Sequence, residues 1–185
     1  MPETTEQTIR AWLETFVVDL NLCPFARPVV ASRALRIAIC EAQDVDVLTR
    51  AFLAELDLIQ AHSEQEIATT LLAMPRALGE FEQYLMFLDR AETLLFDLGL
   101  EGAFQLASFH PHYQFAGEPE DSVGSFTNRS PYPMIHFLRE DMLTRVLGEF
   151  PDPDRIPDRN IATLEALGRA EIIRRWQSLG AGSTR

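Results

Sequence analysis

The sequence predicts an α/β fold with a small, mostly parallel sheet of at least three strands, helices packed on it and extra C-terminal helices. The first observation is a set of three short runs of apolar and β-branched residues, at positions 35–40, 67–74 and 104–109. The second is that the segments between these runs have the 3.6-residue periodicity of amphipathic helices. Because strands that alternate with helices are typical of βαβ units, we expect the three runs to pair mostly in parallel.

Helices are predicted before and between these strands. The first helix carries one apolar stripe, formed by Ile9, Trp12, Leu13, Phe16, Val17 and Leu20. Thr4 and Gln7 at its start have the spacing of a capping box. The two connecting helices are predicted at about residues 44–60 and 79–98. Together with the three runs, they account for most of residues 1–109 of the predicted domain.

The C-terminal part begins with a polar segment, residues 111–129, whose length favours a lid or a binding loop. Ser130 as N-cap and Pro131 as the first helical residue predict a fourth helix over residues 130–147. A last helix is predicted over residues 158–179, and residues 180–185 are expected to be disordered. With no linker in between, residues 1–185 are predicted to form a single globular domain.

The charge of the chain disfavours two classes of partner. A net charge of −12 repels nucleic acid and anionic membrane surfaces, so we expect neither as a partner. No apolar run is long enough to span a bilayer, and the acidic N-terminal segment does not resemble a signal peptide, so we expect a cytoplasmic protein. All 16 basic residues are arginines, which excludes a lysine Schiff base.

The two cysteines match no zinc-binding spacing, and a reducing cytoplasm disfavours a disulfide between them. We expect Cys23 to be buried between apolar neighbours. The alternative is a reactive thiolate activated by the nearby Arg27.

The densest group of reactive side chains is Ser-Phe-His-Pro-His-Tyr at residues 108–113. His110 and His112 lie two residues apart at a predicted strand end, so their imidazoles can face one point. Such a pair can begin a metal site, and open parallel sheets bind ligands at this edge. The alternative is a pair of surface or hydrogen-bonded histidines near a turn.

His136 and Asp121 are the residues that could complete a metal site with His110 and His112. The loop before the predicted fourth helix can bring a third imidazole over the first two, with Asp121 as an oxygen ligand. A divalent ion is therefore the one cofactor that the sequence suggests. Without an ion, the same histidines could act as an acid–base pair, with Tyr113 or His136 completing proton transfer.

Positive charge is concentrated at the predicted start of the fourth helix. Asn128, Arg129 and Ser130 lie where free backbone N–H groups attract anions, and Arg129 can form a bidentate contact with a carboxylate or phosphate. Arg139 falls within the apolar stripe of the same helix, so it must be paired. Its partner is expected to be a protein carboxylate or an anionic ligand, and these alternatives stay open.

Four strings of the chain resemble a bacterial protein family known as domain of unknown function 1415. They are Asn-Leu-Cys-Pro-Phe-Ala (21–26), Ser-Phe-His-Pro-His-Tyr-Gln-Phe-Ala (108–116), Thr-Asn-Arg-Ser-Pro-Tyr-Pro (127–133) with residues 136–140, and Arg-Asn-Ile-Ala-Thr-Leu-Glu (159–165). The similarity covers the whole chain. It implies no reaction, cofactor or site, because the family has no assigned function.

These observations favour an enzyme that acts on a small anionic substrate at a histidine-rich, metal-dependent or metal-free site. The catalytic candidates are His110, His112, Tyr113 and His136, and the substrate-binding candidates are Asn128, Arg129, Ser130 and Arg139. The alternative is a non-catalytic ligand-binding or interaction protein in which these residues form a structural network. The residues do not specify a reaction, a substrate or an oligomeric state.

Overall fold

The computed structural model describes residues 4–179 and contains a four-stranded mixed sheet. The strands are β1 (Leu35–Ile39), β2 (Thr69–Ala73), β3 (Phe104–Phe109) and β4 (Met134–Arg139), and their order across the sheet is β1-β2-β4-β3. β1 and β2 pair in parallel, whereas β4 runs antiparallel to both of its neighbours. The last strand in sequence is therefore inserted between two strands formed earlier in the chain.

Helices cover both faces of the sheet. They are α1 (Thr5–Trp12), continued by a π-helical segment (Leu13–Val18), α2 (Ala26–Ala31), α3 (Val45–Ala61), α4 (Phe81–Asp97), α5 (Glu140–Gly148), α6 (Ile156–Leu167) and α7 (Arg169–Ser178), with short 3₁₀ segments at Val123–Thr127 and Pro153–Arg155. No helix among residues 4–179 is long and apolar enough to cross a membrane.

Two apolar cores lie on opposite faces, because the side chains of each strand alternate in direction. On β2, Leu72 packs with α3 and α4, whereas Leu71 and Ala73 pack with α1, α6 and α7. All five residues of β2 are buried, since helices cover this strand on both sides. The fold is thus a three-layer arrangement of helices, sheet and helices.

Most of the N-terminal prediction is confirmed. The three apolar runs contain β1, β2 and β3, and the two connecting segments form α3 and α4. The capping box is also present, because the Thr4 side chain accepts from the Gln7 backbone N–H and the Gln7 side chain accepts from the Thr4 backbone N–H. The mixed α/β class is therefore correct.

The prediction of a mostly parallel sheet is wrong, because the predicted fourth helix is divided between a strand and a helix. Residues Met134–Arg139 form β4, and the helix begins only at Glu140. Ser130 does not cap a helix, since its hydroxyl donates to the Tyr132 carbonyl within a turn. A six-residue segment with four apolar residues suits both secondary structures, and pairing with the open edges of β2 and β3 decides in favour of a strand.

The predicted last helix is two helices, because Gly168 adopts φ 79°, which breaks it between α6 and α7. The short helix α2 had no counterpart in the prediction. The predicted disorder of residues 180–185 lies outside the described residues.

Tyr84 of α4 joins the two strands at one end of the sheet. Its hydroxyl donates to the Met134 carbonyl of β4 at 2.8 Å and accepts from the Phe109 N–H of β3 at 3.1 Å. The side chain is fully buried, and burial raises the pKa of the phenol well above its usual range. The phenol therefore remains neutral and serves as a fixed link between helix and sheet.

Replacing Tyr84 with Phe should lower the free energy of unfolding by about 1–3 kcal/mol, because both backbone groups then lose a buried partner. Urea denaturation followed by circular dichroism measures this loss. Tyr132→Phe is the control, since the Tyr132 hydroxyl forms no hydrogen bond within residues 4–179. Equal stabilities of the two variants would contradict the structural role of the Tyr84 hydroxyl.

Candidate functional site

An apolar cavity of about 250 Å³ lies on the face of the sheet opposite α3 and α4. Its floor is formed by residues of all four strands whose side chains face away from α3 and α4, including Leu35, Leu71, Ala107 and Leu138. Its other walls come from Trp12 and the π-helical segment, from α2 and from α5. Nearly all of this lining is apolar, so the few polar groups within it decide what the cavity can recognise.

His136 and Thr69 form a polar pair in the floor of the cavity. His136 lies on the central strand β4, where its register neighbours are Leu71 of β2 and Ala107 of β3. Its Nε2 is 2.5 Å from Thr69 Oγ1. Such an imidazole is unexpected in an apolar wall, because only one of its two ring nitrogens has a hydrogen-bond partner among residues 4–179.

The Thr69 hydroxyl determines which imidazole nitrogen carries the proton. The hydroxyl donates its single hydrogen to the Phe137 carbonyl at 2.6 Å, so it can only accept from His136. Nε2 of His136 therefore carries the hydrogen, and Nδ1 presents an unshared electron pair. Nδ1 forms no hydrogen bond with any described residue. It is also not one of the unpaired polar atoms that have no accessible surface.

Burial lowers the pKa of His136 from 6.5 to about 4. The apolar surroundings disfavour the charged imidazolium, and no acidic group contributes to the shift. His136 is thus neutral near pH 7 and can accept a hydrogen bond or a proton from a molecule in the cavity. The same surroundings disfavour an anionic occupant.

Cys23 borders the cavity at the start of α2. The prediction that Cys23 is buried is wrong, since the residue is exposed. Desolvation by the surrounding chain raises the pKa of the Cys23 thiol, and the nearby backbone N–H groups of Phe25 and Ala26 act in the opposite direction. Cys23 is therefore a neutral thiol near pH 7, which also disfavours the alternative of a reactive thiolate.

The π-helical segment Leu13–Val18 shapes one wall of the cavity. Its widened turn places Leu13 and Val17 in the lining, and Trp12 just before it also contributes. The Trp12 indole N–H donates to the Arg129 carbonyl at 3.0 Å, which ties this wall to the loop after β3. π-helical turns are frequent at functional sites, and this one borders the apolar cavity.

His110 lies on the other side of the sheet from His136. It is fully buried against Tyr84 and Phe81 of α4. Its Nε2 donates to the Leu78 carbonyl at 2.9 Å, and its Nδ1 accepts from the His112 backbone N–H at 3.0 Å. Both ring nitrogens are therefore occupied, and burial lowers the pKa of the imidazole. His110 stabilises the turn after β3.

The four predicted metal ligands do not converge. His112 is exposed and borders a polar cleft with Asp121, whereas His136 lies in the apolar cavity. His110 has no free nitrogen for a metal ion. Within residues 4–179, no group of three His, Cys, Asp or Glu side chains is placed to hold an ion. The structure thus does not assemble the predicted ligand set.

Tyr113, Asn128 and Ser130 hold the long loop in place. Ser108 donates to the Tyr113 hydroxyl, and the Asn128 amide donates to the Ser108 carbonyl at 3.1 Å. The His110 backbone N–H donates to the Asn128 carbonyl, and the Ser130 N–H donates to the His110 carbonyl. These bonds prolong the pairing beyond β3, so the residues act as loop scaffolding.

Arg129 is held by backbone carbonyls. Its Nε donates to Tyr113 and its Nη2 to Glu120, at 3.1 and 2.9 Å, and the guanidinium lies over the Phe126 ring. The expected anion site at a helix N-terminus is absent, because no helix begins at Ser130. Arg129 still borders the polar cleft with His112 and Arg169.

Arg139 was expected to pair with a carboxylate or an anionic ligand, and this expectation is wrong. Its guanidinium donates to three backbone carbonyls, those of Ile59, His62 and Ile67, at 2.6, 2.7 and 3.0 Å. Two of these carbonyls lie at the C-terminal end of α3, where a cation also interacts favourably with the helix dipole. Arg139 thus caps α3 from the end of β4.

Sequence reasoning missed the cavity and the role of Thr69. The available signal was the alternation in residues 134–139, where Met134, His136 and Leu138 share one face if the segment is a strand. With that assignment, a histidine would have been expected between two apolar residues on a sheet. The Thr69 contact depends on pairing between strands far apart in sequence, which no local pattern contains.

These features define an α/β protein with an apolar cavity on one face of a mixed sheet and a neutral histidine in the cavity floor. The chain belongs to the family described as Protein of unknown function (DUF1415), whose model matches residues 4–174. This match confirms the resemblance noted in the sequence. No curated protein and no solved structure matches the chain.

Replacing Arg139 with Met should lower the free energy of unfolding by about 2–3 kcal/mol, because the carbonyls at the end of α3 lose a charged donor. Arg36→Met is the matched control. Arg36 contacts Glu55 of the same helix through a partly exposed ion pair, whose loss should cost under about 1 kcal/mol. Chemical denaturation measures both values, and a smaller loss for Arg139→Met than for Arg36→Met would refute the capping role.

Acid should destabilise the protein through His136. Because its pKa is about 4 in the folded chain and 6.5 in the reference state, the unfolded chain binds the proton first as the pH falls. Stability should be unaffected by this group above about pH 7 and should fall by about 3 kcal/mol by about pH 4. His136→Gln should show a correspondingly smaller loss in denaturation measured across this range. Parallel profiles would contradict the low pKa.

Proposed function

We propose that this protein binds a small, mainly apolar molecule carrying a hydrogen-bond donor, such as a hydroxyl group, in the cavity beside His136. The observation that carries the proposal is the Nδ1 atom of His136, a neutral acceptor with no hydrogen-bond partner among residues 4–179, in a largely apolar wall. A ligand that placed its donor at Nδ1 would pair this acceptor, while its remaining surface would contact apolar side chains.

The size of the cavity favours a compact ligand. Apolar cavities of about 150 Å³ are able to bind benzene, so the larger volume here accommodates a substituted ring or a short alkyl chain. Trp12, Phe25 and Phe109 border the space and can contact a planar ring. A substituted phenol combines the two features, since it has an apolar ring and one strong donor.

The enzyme for a small anionic substrate that the sequence predicts stays a prediction. Its proposed binding groups, Arg129 and Arg139, are engaged by backbone carbonyls, and His110 has no free nitrogen. These contacts favour the alternative reading, a ligand-binding protein. Of the four predicted catalytic residues, His136 is the one that borders the apolar cavity.

Isothermal titration calorimetry with 4-methylphenol and 1,4-dimethylbenzene tests the proposal, because the two probes have the same shape and only the phenol donates. Both should bind to the wild-type protein. In His136→Leu, the ratio of phenol affinity to hydrocarbon affinity should fall about tenfold, which corresponds to the loss of one hydrogen bond. Comparing ratios removes the different hydration of the two probes.

Ala107→Leu provides the control for location. Ala107 lies beside His136 in the cavity floor, so the larger side chain should fill the space and weaken both probes equally. An unchanged affinity ratio in His136→Leu would refute the hydrogen bond to Nδ1. Failure of both probes to bind the wild-type protein would refute the proposed function.

A further inference from the structure

A polar cleft of about 390 Å³ lies beside the long loop that follows β3. It is bordered by His112, Glu120, Asp121, Arg129 and Arg169, and none of these residues lines the apolar cavity. The cleft is open to solvent, because all of these residues except Arg129 are exposed and Arg129 is half-buried. A molecule in solution can therefore contact its side chains directly.

Two guanidinium groups lie close together at this cleft. Arg129 Nη2 donates to the Glu120 carbonyl at 2.9 Å, and Arg169 Nη1 donates to the Asp121 carbonyl at 2.5 Å. Because the two acceptors belong to consecutive residues of the chain, the two positive charges are brought near each other. The Phe126 ring below the Arg129 guanidinium helps to hold it in this position.

The chain supplies no close counter-charge for this pair. Within residues 4–179, neither Arg129 nor Arg169 takes part in an ion pair. Desolvation lowers the pKa of Arg129, and repulsion by Arg169 lowers it by more than the Glu120 carboxylate raises it. In a chain of net charge −12, two neighbouring arginines without a carboxylate partner are unexpected. An anion between them would relieve the repulsion.

Hydrogen-bond donors also remain available around the cleft. Arg129 uses two of its N–H donors and Arg169 uses one towards the described residues, which is fewer than a guanidinium has. The His112 ring forms no hydrogen bond within residues 4–179, and one of its nitrogens can donate even when the ring is neutral. Three side chains therefore offer donors to one occupant.

We propose that this cleft binds a phosphate group, either as inorganic phosphate or as part of a small phosphate monoester. A phosphate group carries about −1.5 to −2 charges near pH 7 and has three acceptor oxygens, which suits two guanidiniums and an imidazole donor. A carboxylate supplies only one charge. The site differs from the anion site predicted from the sequence, because Arg129 is accompanied by Arg169 of α7 and not by Arg139 or a helix N-terminus.

Titration of the ¹⁵N-labelled protein with inorganic phosphate, followed by NMR near pH 7, tests the proposal. The ionic strength is held constant with chloride, so that general screening does not change. The backbone signals of residues 112–121 and 169–170 should shift and saturate. Acetate should bind severalfold more weakly because of its single charge. Phenyl phosphate distinguishes the two sources, since tighter binding than that of inorganic phosphate indicates a monoester and weaker binding indicates the free ion.

Arg169→Gln is the principal variant, because Arg169 is exposed and donates only one hydrogen bond to the described residues. It should weaken phosphate binding by about tenfold or more, since one charged donor is lost. Arg174→Gln is the matched control. It makes the same change in net charge on the same helix, but Arg174 is paired with Glu171. It should change the affinity by less than about twofold.

Glu120→Gln should act in the opposite direction. The variant removes the carboxylate near Arg129 and keeps the backbone carbonyl that accepts from it, so phosphate should bind severalfold more tightly. A gain in affinity cannot arise from misfolding, which keeps the test valid if Arg169→Gln proves unstable. Equal losses in Arg169→Gln and Arg174→Gln, or shifts that do not saturate, would overturn the site. Acetate binding as tightly as phosphate would overturn the choice of a phosphate group.

Discussion

The pairing of β4 with two neighbours is the constraint on which the remainder of the structure depends. Hydrogen bonds to β2 on one side and to β3 on the other fix the register of every β4 residue. That register places His136 in the cavity floor and Arg139 over the end of α3. A shift of one residue would exchange the two faces, burying the arginine in the apolar cavity and moving the histidine into the opposite core.

Within this framework, a chain of two hydrogen bonds gives the cavity its chemical character. The Phe137 carbonyl accepts from Thr69, and Thr69 accepts from His136. The backbone carbonyl therefore determines, through Thr69, which ring nitrogen of His136 carries the hydrogen. Each bond lies in surroundings of low dielectric constant, where satisfied networks are strong and unpaired groups are costly. The binding properties of the cavity are thus set by the strand pairing and not by a flexible loop.

Local sequence patterns predict those elements whose structure depends on residues close together in sequence. β1, β2, α3 and α4 differ clearly in periodicity and length, and the Thr4–Gln7 capping box involves only neighbouring residues. The prediction of a helix over residues 134–139 is wrong because a segment with four apolar residues among six fits a helix or a strand, and the choice depends on strand edges far away in sequence. The cavity combines residues of α1, α2, α5 and all four strands, and the sequence singled out His136 and Cys23 among its lining but not Thr69.

The insertion of β4 also has a consequence for how the chain folds. During synthesis β3 emerges well before β4, since residues 110–133 separate them. Until β4 arrives, the facing edges of β2 and β3 present unpaired backbone groups, which are sites for intermolecular strand pairing. β2 is apolar, which increases this hazard. The last strand therefore completes the sheet from its centre. Its pairing both fixes the native register and removes the exposed edges that could lead to aggregation.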